Sequence, residues 1–227
     1  MSNNESYTIQ RCEKAPAVVA SLADPAWAKA DVAELNWVAA ESKGVLPKVC
    51  CRLLHDGANV YGLYQVKDAS RRARQTEYNA MVCLDSCVEF FFEPAASTFG
   101  GYFNLEMNAI GTHLVYYIRD YRRTEDGYRD FTPLPPEDGL KITTITSLQG
   151  PIDPEEFGEK EWFEFFQIPV AVLEKFHGPI GDLGGQLWRG NFYKCGDELK
   201  EPHWLGWRGV SPLNFHLPPC FGQFRFA

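Results

Sequence analysis

Short apolar or alternating runs rich in Val, Phe, Tyr and Ile recur about every ten to fifteen residues along the chain, with Gly, Pro, Asn and Asp between them. Strands joined by tight turns produce that rhythm; helices would show apolar residues three to four apart over longer stretches. Val49–Asp56 and Val60–Asp68 flank Gly57-Ala58-Asn59 and read as a hairpin with a short loop. Tyr102–Asn108 and Thr112–Arg119 flank Ala109-Ile110-Gly111 and read as a second. Further strands are expected at Glu34–Val38, Cys87–Glu93, Leu140–Ser147, Trp162–Ile168, Leu187–Cys195, His203–Trp207 and Gly222–Phe226. Helix signals are confined to Pro25–Ala30, capped by Asp24, and Val170–Phe176, ahead of Gly178. Asp120–Gly139, with Pro133, Pro135 and Pro136, and the acidic Gln149–Lys160 read as long surface loops. The predicted fold is all-β: a two-sheet antiparallel β-sandwich, jelly-roll-like, with one or two short helices and residues 1–227 as a single domain.

Charge and cysteine usage narrow the partners. A formal net charge of -8 repels nucleic acid and anionic lipid surfaces at long range. The basic run Arg71, Arg72, Arg74 has no nucleic-acid motif around it and reads as a solvated loop. No stretch reaches the roughly 20 apolar residues of a membrane span, so no membrane partner is expected. Seven cysteines without paired spacing point to a reducing compartment rather than a disulfide framework. Ala15–Ala23 is apolar enough for a signal-peptide core, but the mostly polar residues before it carry no cationic cluster. The expected location is therefore cytoplasmic; a leader upstream of this sequence would make the protein secreted.

The densest chemistry lies between Leu187 and Gly222. Trp188, Trp204, Trp207, Phe192, Tyr193 and Phe215 are interleaved there with Asn, Arg, Lys and His. A closed core has no use for so many hydrogen-bonding groups, since each buried polar atom left unpaired costs roughly 1–3 kcal/mol. A pyranose ring does: its C–H face lies on an aromatic plane while its hydroxyls pair with amide, carboxylate and guanidinium groups. Alternation groups Asn104, Glu106 and Asn108 on one strand, Cys87, Glu89, Phe91 and Glu93 on another, and Arg189, Asn191, Tyr193 and Cys195 on a third. If these strands are neighbours, the stripes form one polar and aromatic floor; otherwise they are three solvent faces. Arg189 beside Asn191 suits bidentate bonding to vicinal hydroxyls or a uronate, or an ion pair with an acid such as Asp197.

The motifs WRGNFYKCGD, PHWLGW and FHLPPCFG, in that order, resemble the C-terminal part of family 9 carbohydrate-binding modules and their stand-alone bacterial relatives. SLADPAWAKA, DSCVEFFFEP and YFNLEMNAIGTH agree, so the resemblance runs from about Pro16 to Phe226. It implies a β-sandwich that binds sugar without catalysis. It places the carboxylate that accepts sugar hydroxyls on Glu89, a further contact on Tyr193 and an aromatic platform on Phe215. Departures accompany it. YNAMVCL, Tyr78–Leu84, lacks the tryptophan that well-studied members place before this strand, leaving Tyr78 as its only substitute. A basic contact falls near Glu106, reversing the charge, and Phe215 stands where tryptophan would stack better. Trp204 or Trp207 is then the alternative platform.

The expected ligand site is thus Glu89, Arg189, Asn191, Tyr193, Trp207 and Phe215, with no catalytic residue. The expected partner is a mono- or oligosaccharide, bound by a monomer or weak dimer. Two other readings stand beside it: a glycoside hydrolase, or accessory domain of one, using Glu89 and Glu106 as its carboxyl pair, and a protein-interaction sandwich. No cofactor is expected, apart from a structural calcium for which Asp153, Glu155 and Glu156 offer oxygens. Cys83 and Cys87, read on one strand, are about 13 Å apart, too far to share a zinc.

Overall fold

The computed structural model describes residues 6–95 and 100–227. Its strands are β1 (Ser6–Arg11), β2 (Ala33–Glu34), β3 (Trp37–Val38), β4 (Lys48–His55), β5 (Asn59–Ala73), β6 (Cys87–Glu93), β7 (Tyr102–Asn108), β8 (His113–Thr124) and β9 (Gly127–Pro133). After a one-turn helix α1 (Pro136–Gly139) come β10 (Thr143–Thr146) and β11 (Ile152–Pro169), then α2 (Val170–His177), β12 (Leu187–Cys195), β13 (Trp204–Gly206) and β14 (Gly222–Phe226). One sheet runs β1-β14-β12-β6-β7-β8-β9, with β13 and β3 extending from β12; the other runs β10-β11-β5-β4-β1, with β2 on β4. The molecule is the expected all-β sandwich. Its one departure from antiparallel pairing is β1, whose first residues pair in parallel with β14 and whose last two pair in parallel with β4. By crossing from one sheet to the other, β1 joins them into a continuous hydrogen-bonded surface.

Alternation decides what each strand buries. Val88, Phe90 and Phe92 of β6, with Phe103, Leu105 and Met107 of β7, point into the space between the sheets. Tyr64 and Val66 of β5 and Trp162 and Phe166 of β11 meet them from the other side. Phe90 is stacked on Phe192 with ring centroids 5.4 Å apart and on Phe166 at 5.6 Å. Offset stacks of this kind add about 0.5–1.5 kcal/mol beyond the area they bury. Residues 12–30 close the outer face of the second sheet, where Trp27 packs edge-on against Phe165. That segment holds the expected turn of helix, Pro25–Lys29, with the Asp24 carboxylate accepting from the Ala26 N–H at 2.8 Å.

The structure corrects two expected loops and shortens one expected strand. Asp120–Gly139 is mostly the β8–β9 hairpin. Its charges are satisfied across the strands, as where the Arg119 guanidinium forks onto the Asp130 carboxylate, with Nε 3.0 Å from Oδ2. The prolines act only at its end, where β9 stops at Pro133 and α1 begins at Pro136. Gln149–Lys160 is largely the first half of β11, which pairs with β5 through two register shifts and joins Glu156 to Arg71 and Glu159 to Lys67. Among the suggested calcium ligands, Glu156 therefore holds Arg71, while the Glu155 carboxylate accepts from the Lys200 N–H. Leu140–Ser147 is a strand only over Thr143–Thr146. All seven cysteines are free thiols.

Close approach of backbones at β12 sets one measurable constraint. A Cβ on Gly190 would lie 2.2 Å from the Phe91 carbonyl oxygen and 2.4 Å from the Phe224 ring. Gly190→Ala is expected to destabilise the fold by about 2 kcal/mol or more. The urea midpoint should fall with the slope of the transition unchanged.

Candidate functional site

β6 lies between β12 and β7, and their registers align the three outward stripes. Glu89 sits directly opposite Tyr193 on one side and Glu106 on the other; Glu106 in turn faces Leu114 of β8. The next row is Asn191, Phe91, Asn104 and Tyr116. The stripes therefore meet in one floor. Over it stand the β8–β9 hairpin, with Arg123, Tyr128 and Phe131; the 213–216 segment; Met81 and Cys83; and Asp197 with Trp204. Together they enclose an open cavity of about 560 Å³.

Two acids form the base of this cavity. Glu89 is 2% exposed and Glu106 5% exposed. Glu89 Oε1 accepts from the Cys195 thiol at 3.0 Å, and Glu106 Oε1 accepts from the Asn104 amide at 2.8 Å. Burial holds the Glu89 carboxyl well above the usual carboxylate range, and the facing Glu106 charge adds to the shift. Burial raises Glu106 as well, against the opposing pull of the Asn104 hydrogen bond. His216 supplies no compensating charge. Its Nδ1 bonds the Tyr102 hydroxyl at 2.8 Å and its Nε2 the Tyr128 hydroxyl at 2.7 Å, so the ring donates to one and accepts from the other. Burial, aided by the nearby Arg123 charge, keeps that imidazole neutral by pushing its pKa well down.

The walls are aromatic: Tyr116, Tyr128, Phe131, Trp204 and Phe215. Trp204 is fixed by a 2.7 Å bond from its indole N–H to Asp197 at the mouth. Phe215 is backed by Tyr193, whose ring lies parallel to it with centroids 3.9 Å apart and whose hydroxyl donates to the Phe215 carbonyl.

The six expected residues fall into three groups. Glu89 and Phe215 line the cavity. Asn191 and Tyr193 lie beneath its surface as supports. The Asn191 amide donates to the Arg208 carbonyl and its oxygen accepts from the Arg208 and Phe192 N–H groups, which uses its capacity on protein partners. Arg189 and Trp207 are not in the lining. The Arg189 guanidinium pairs with Glu93 at 3.1 Å and donates to the Pro218 carbonyl at 2.6 Å. Trp207 stacks on Phe224 at 5.6 Å, against the core between the sheets. Tyr78 is also elsewhere, donating its hydroxyl to the Leu134 carbonyl. Sequence reasoning did not count Tyr116, Arg123, Tyr128, Phe131, Asn104 or Glu106 among the contacts. Asp126-Gly127 is the available signal for the hairpin that carries four of them, Tyr116, Arg123, Tyr128 and Phe131, since a short turn between aromatic runs marks one.

Cys83 lies in a tight turn rather than on β6. Cys87 and Cys195 face each other across β6 and β12, and their sulfurs with a Glu89 oxygen lie within 4.8 Å of one another.

An acid-floored, aromatic-walled cavity on one sheet of a sandwich defines a ligand-binding module. The sequence profile of carbohydrate-binding family 9 matches residues 18–226, and the chain belongs to that family. A candidate carbohydrate-binding protein from Bacteroides uniformis has a similar crystal structure, with a TM-score of 0.82 and 29% identity over 98% of this chain and 99% of that one. A family 9 carbohydrate-binding module from Caldicellulosiruptor kristjanssonii shares the fold at 10% identity. Its complex with cellotriose has a TM-score of 0.64, covering 97% of this chain and 93% of that one. Its complex with glucose also has a TM-score of 0.64, covering 98% and 95%. No curated protein sequence matches the chain.

The facing acids have a consequence for stability. Because both carboxyls hold their protons to higher pH when folded than when unfolded, the folded chain binds more protons between those limits. Their stabilising share is complete below the ordinary carboxylate range and is lost as pH rises through it towards the folded values. Glu106→Gln is expected to exceed the wild type in stability by about 1 kcal/mol at pH 8. The gap should narrow at pH 5, and urea titrations at both values check it.

Proposed function

We propose that the cavity over Glu89 and Glu106 holds the end of a mono- or oligosaccharide, bound without catalysis. The observation that carries this reading is convergence. Two buried carboxyls with a free oxygen each, the Asn104 amide and five aromatic side chains border one open space. The acids accept sugar hydroxyls and the rings take the C–H face. Trp204 and Phe215 both belong to the aromatic and polar Leu187–Gly222 stretch, and both line the cavity. Membership of carbohydrate-binding family 9 and the sugar complexes of the Caldicellulosiruptor module support the same reading.

Titration calorimetry with glucose and cello-oligosaccharides tests it. Glu89→Gln is expected to weaken binding at least tenfold, about 1.4 kcal/mol. Arg189→Ala, remote from the cavity, should stay within about threefold of the wild type. If folded protein binds no sugar at millimolar concentration, the proposal fails.

A further inference from the structure

We infer that the cavity selects a saccharide end bearing a free amino group, a hexosamine whose ammonium is held between Glu89 and Glu106. The inference rests on the saccharide reading above and narrows it to one chemical class.

The charge inventory is one-sided. The ionisable carboxyls lining the cavity belong to Glu89, Glu106, Asp126 and Asp197, and the only lysine or arginine among its lining residues is Arg123. Arg123 is at the exposed rim, with its guanidinium 4.2 Å from the centre of the Tyr128 ring. His216 has both ring nitrogens bonded to tyrosine hydroxyls and is neutral. Lys194, next to Tyr193 in sequence, points to the opposite face of β12, where its ammonium meets His203 and Asp68.

The two floor acids are each at least nine-tenths buried, and each has only one oxygen bonded to a protein donor among the described residues. Their second oxygens are available to the cavity. Directly opposed carboxylates repel when both are ionised, and burial of both leaves little water to screen them. A neutral sugar hydroxyl offers one proton and no charge. An ammonium offers three donors and the missing positive charge, which lets both carboxyls ionise and bond at once. The aromatic walls retain the apolar face that distinguishes a sugar from a bare amine. An acidic sugar is opposed by the same inventory, since the guanidinium fork of Arg189 lies outside the cavity on Glu93 and Pro218.

Calorimetry near pH 7 with glucose, glucosamine, N-acetylglucosamine and glucuronate decides the matter. Glucosamine is expected to bind at least tenfold more tightly than glucose, N-acetylation to remove that advantage, and glucuronate to bind most weakly. In Glu106→Gln, checked for folding by thermal melting, the ratio of glucosamine to glucose affinity should fall to within about threefold. If glucosamine binds no more tightly than glucose, the inference is overturned while the saccharide reading stands. A ratio unchanged in Glu106→Gln also overturns it, because the selectivity would then arise elsewhere. If none of these sugars and no cello-oligosaccharide binds, the saccharide reading falls and the inference falls with it.

Discussion

The stacking of Phe90 on Phe192 and Phe166 fixes strand β6 between its neighbours, and the alignment of the cavity floor follows from that register. β6 is buried on both faces: Val88, Phe90 and Phe92 enter the space between the sheets, while Cys87, Glu89 and Phe91 face the cavity side. A slip of one residue would drive Glu89 into the space between the sheets and push Val88 and two aromatic rings, Phe90 and Phe92, out. The hydrophobic core and the polar floor are therefore set by one choice of register. Pairing on both sides then carries the alignment to Tyr193 on β12 and Glu106 on β7 without further specification.

Supporting groups around this floor leave few polar atoms idle. Asn191 ties β12 to the Arg208 backbone, His216 bridges Tyr102 and Tyr128, and Tyr193 backs Phe215 by stacking and by a hydrogen bond. Each contact spends the bonding capacity of its side chain on the protein, so these residues position others instead of meeting a ligand. The exposed resource left over is concentrated in the acids and the outer aromatic faces. Rigid support beneath a small set of open groups lowers the entropy lost when a ligand orders them.

Sequence legibility followed the physics of alternation. The two hairpins around Gly57 and Gly111, the β6 stripe and its two neighbours were readable because period-two burial leaves a direct mark. Convergence of Glu89 and Glu106 required the additional fact that β6 and β7 pair in that register, which spacing within one strand does not encode. Asn191, Arg189 and Trp207 looked like contacts because their chemistry suits a sugar. Their partners come from Arg208, Glu93 and Phe224, distant in sequence, so their prior commitments were invisible. The β8–β9 and β11 segments were obscured by charge. In both, exposed overhanging strands satisfy their ionic side chains with cross-strand partners, and a charged strand of that kind has the composition of a loop.

Burial of an acid is not in itself a sign of a site, and this chain contains its own control. Glu164 on β11 is fully buried, neither of its oxygens has a well-formed hydrogen bond among the described residues, and burial raises its pKa well above the ordinary range against the opposing pull of nearby Thr146. It shares a strand face with Trp162 and Phe166, which point into the closed core, and lines none of the described cavities. An acid in such a place stays protonated and has no route to a partner. Glu89 and Glu106 experience comparable desolvation, yet they face each other, sit under an open space and are ringed by aromatic side chains. What separates the two cases is access. A ligand can reach the floor pair and relieve its strain, so the instability built into those two carboxyls becomes binding energy, whereas at Glu164 it remains a fixed property of the fold.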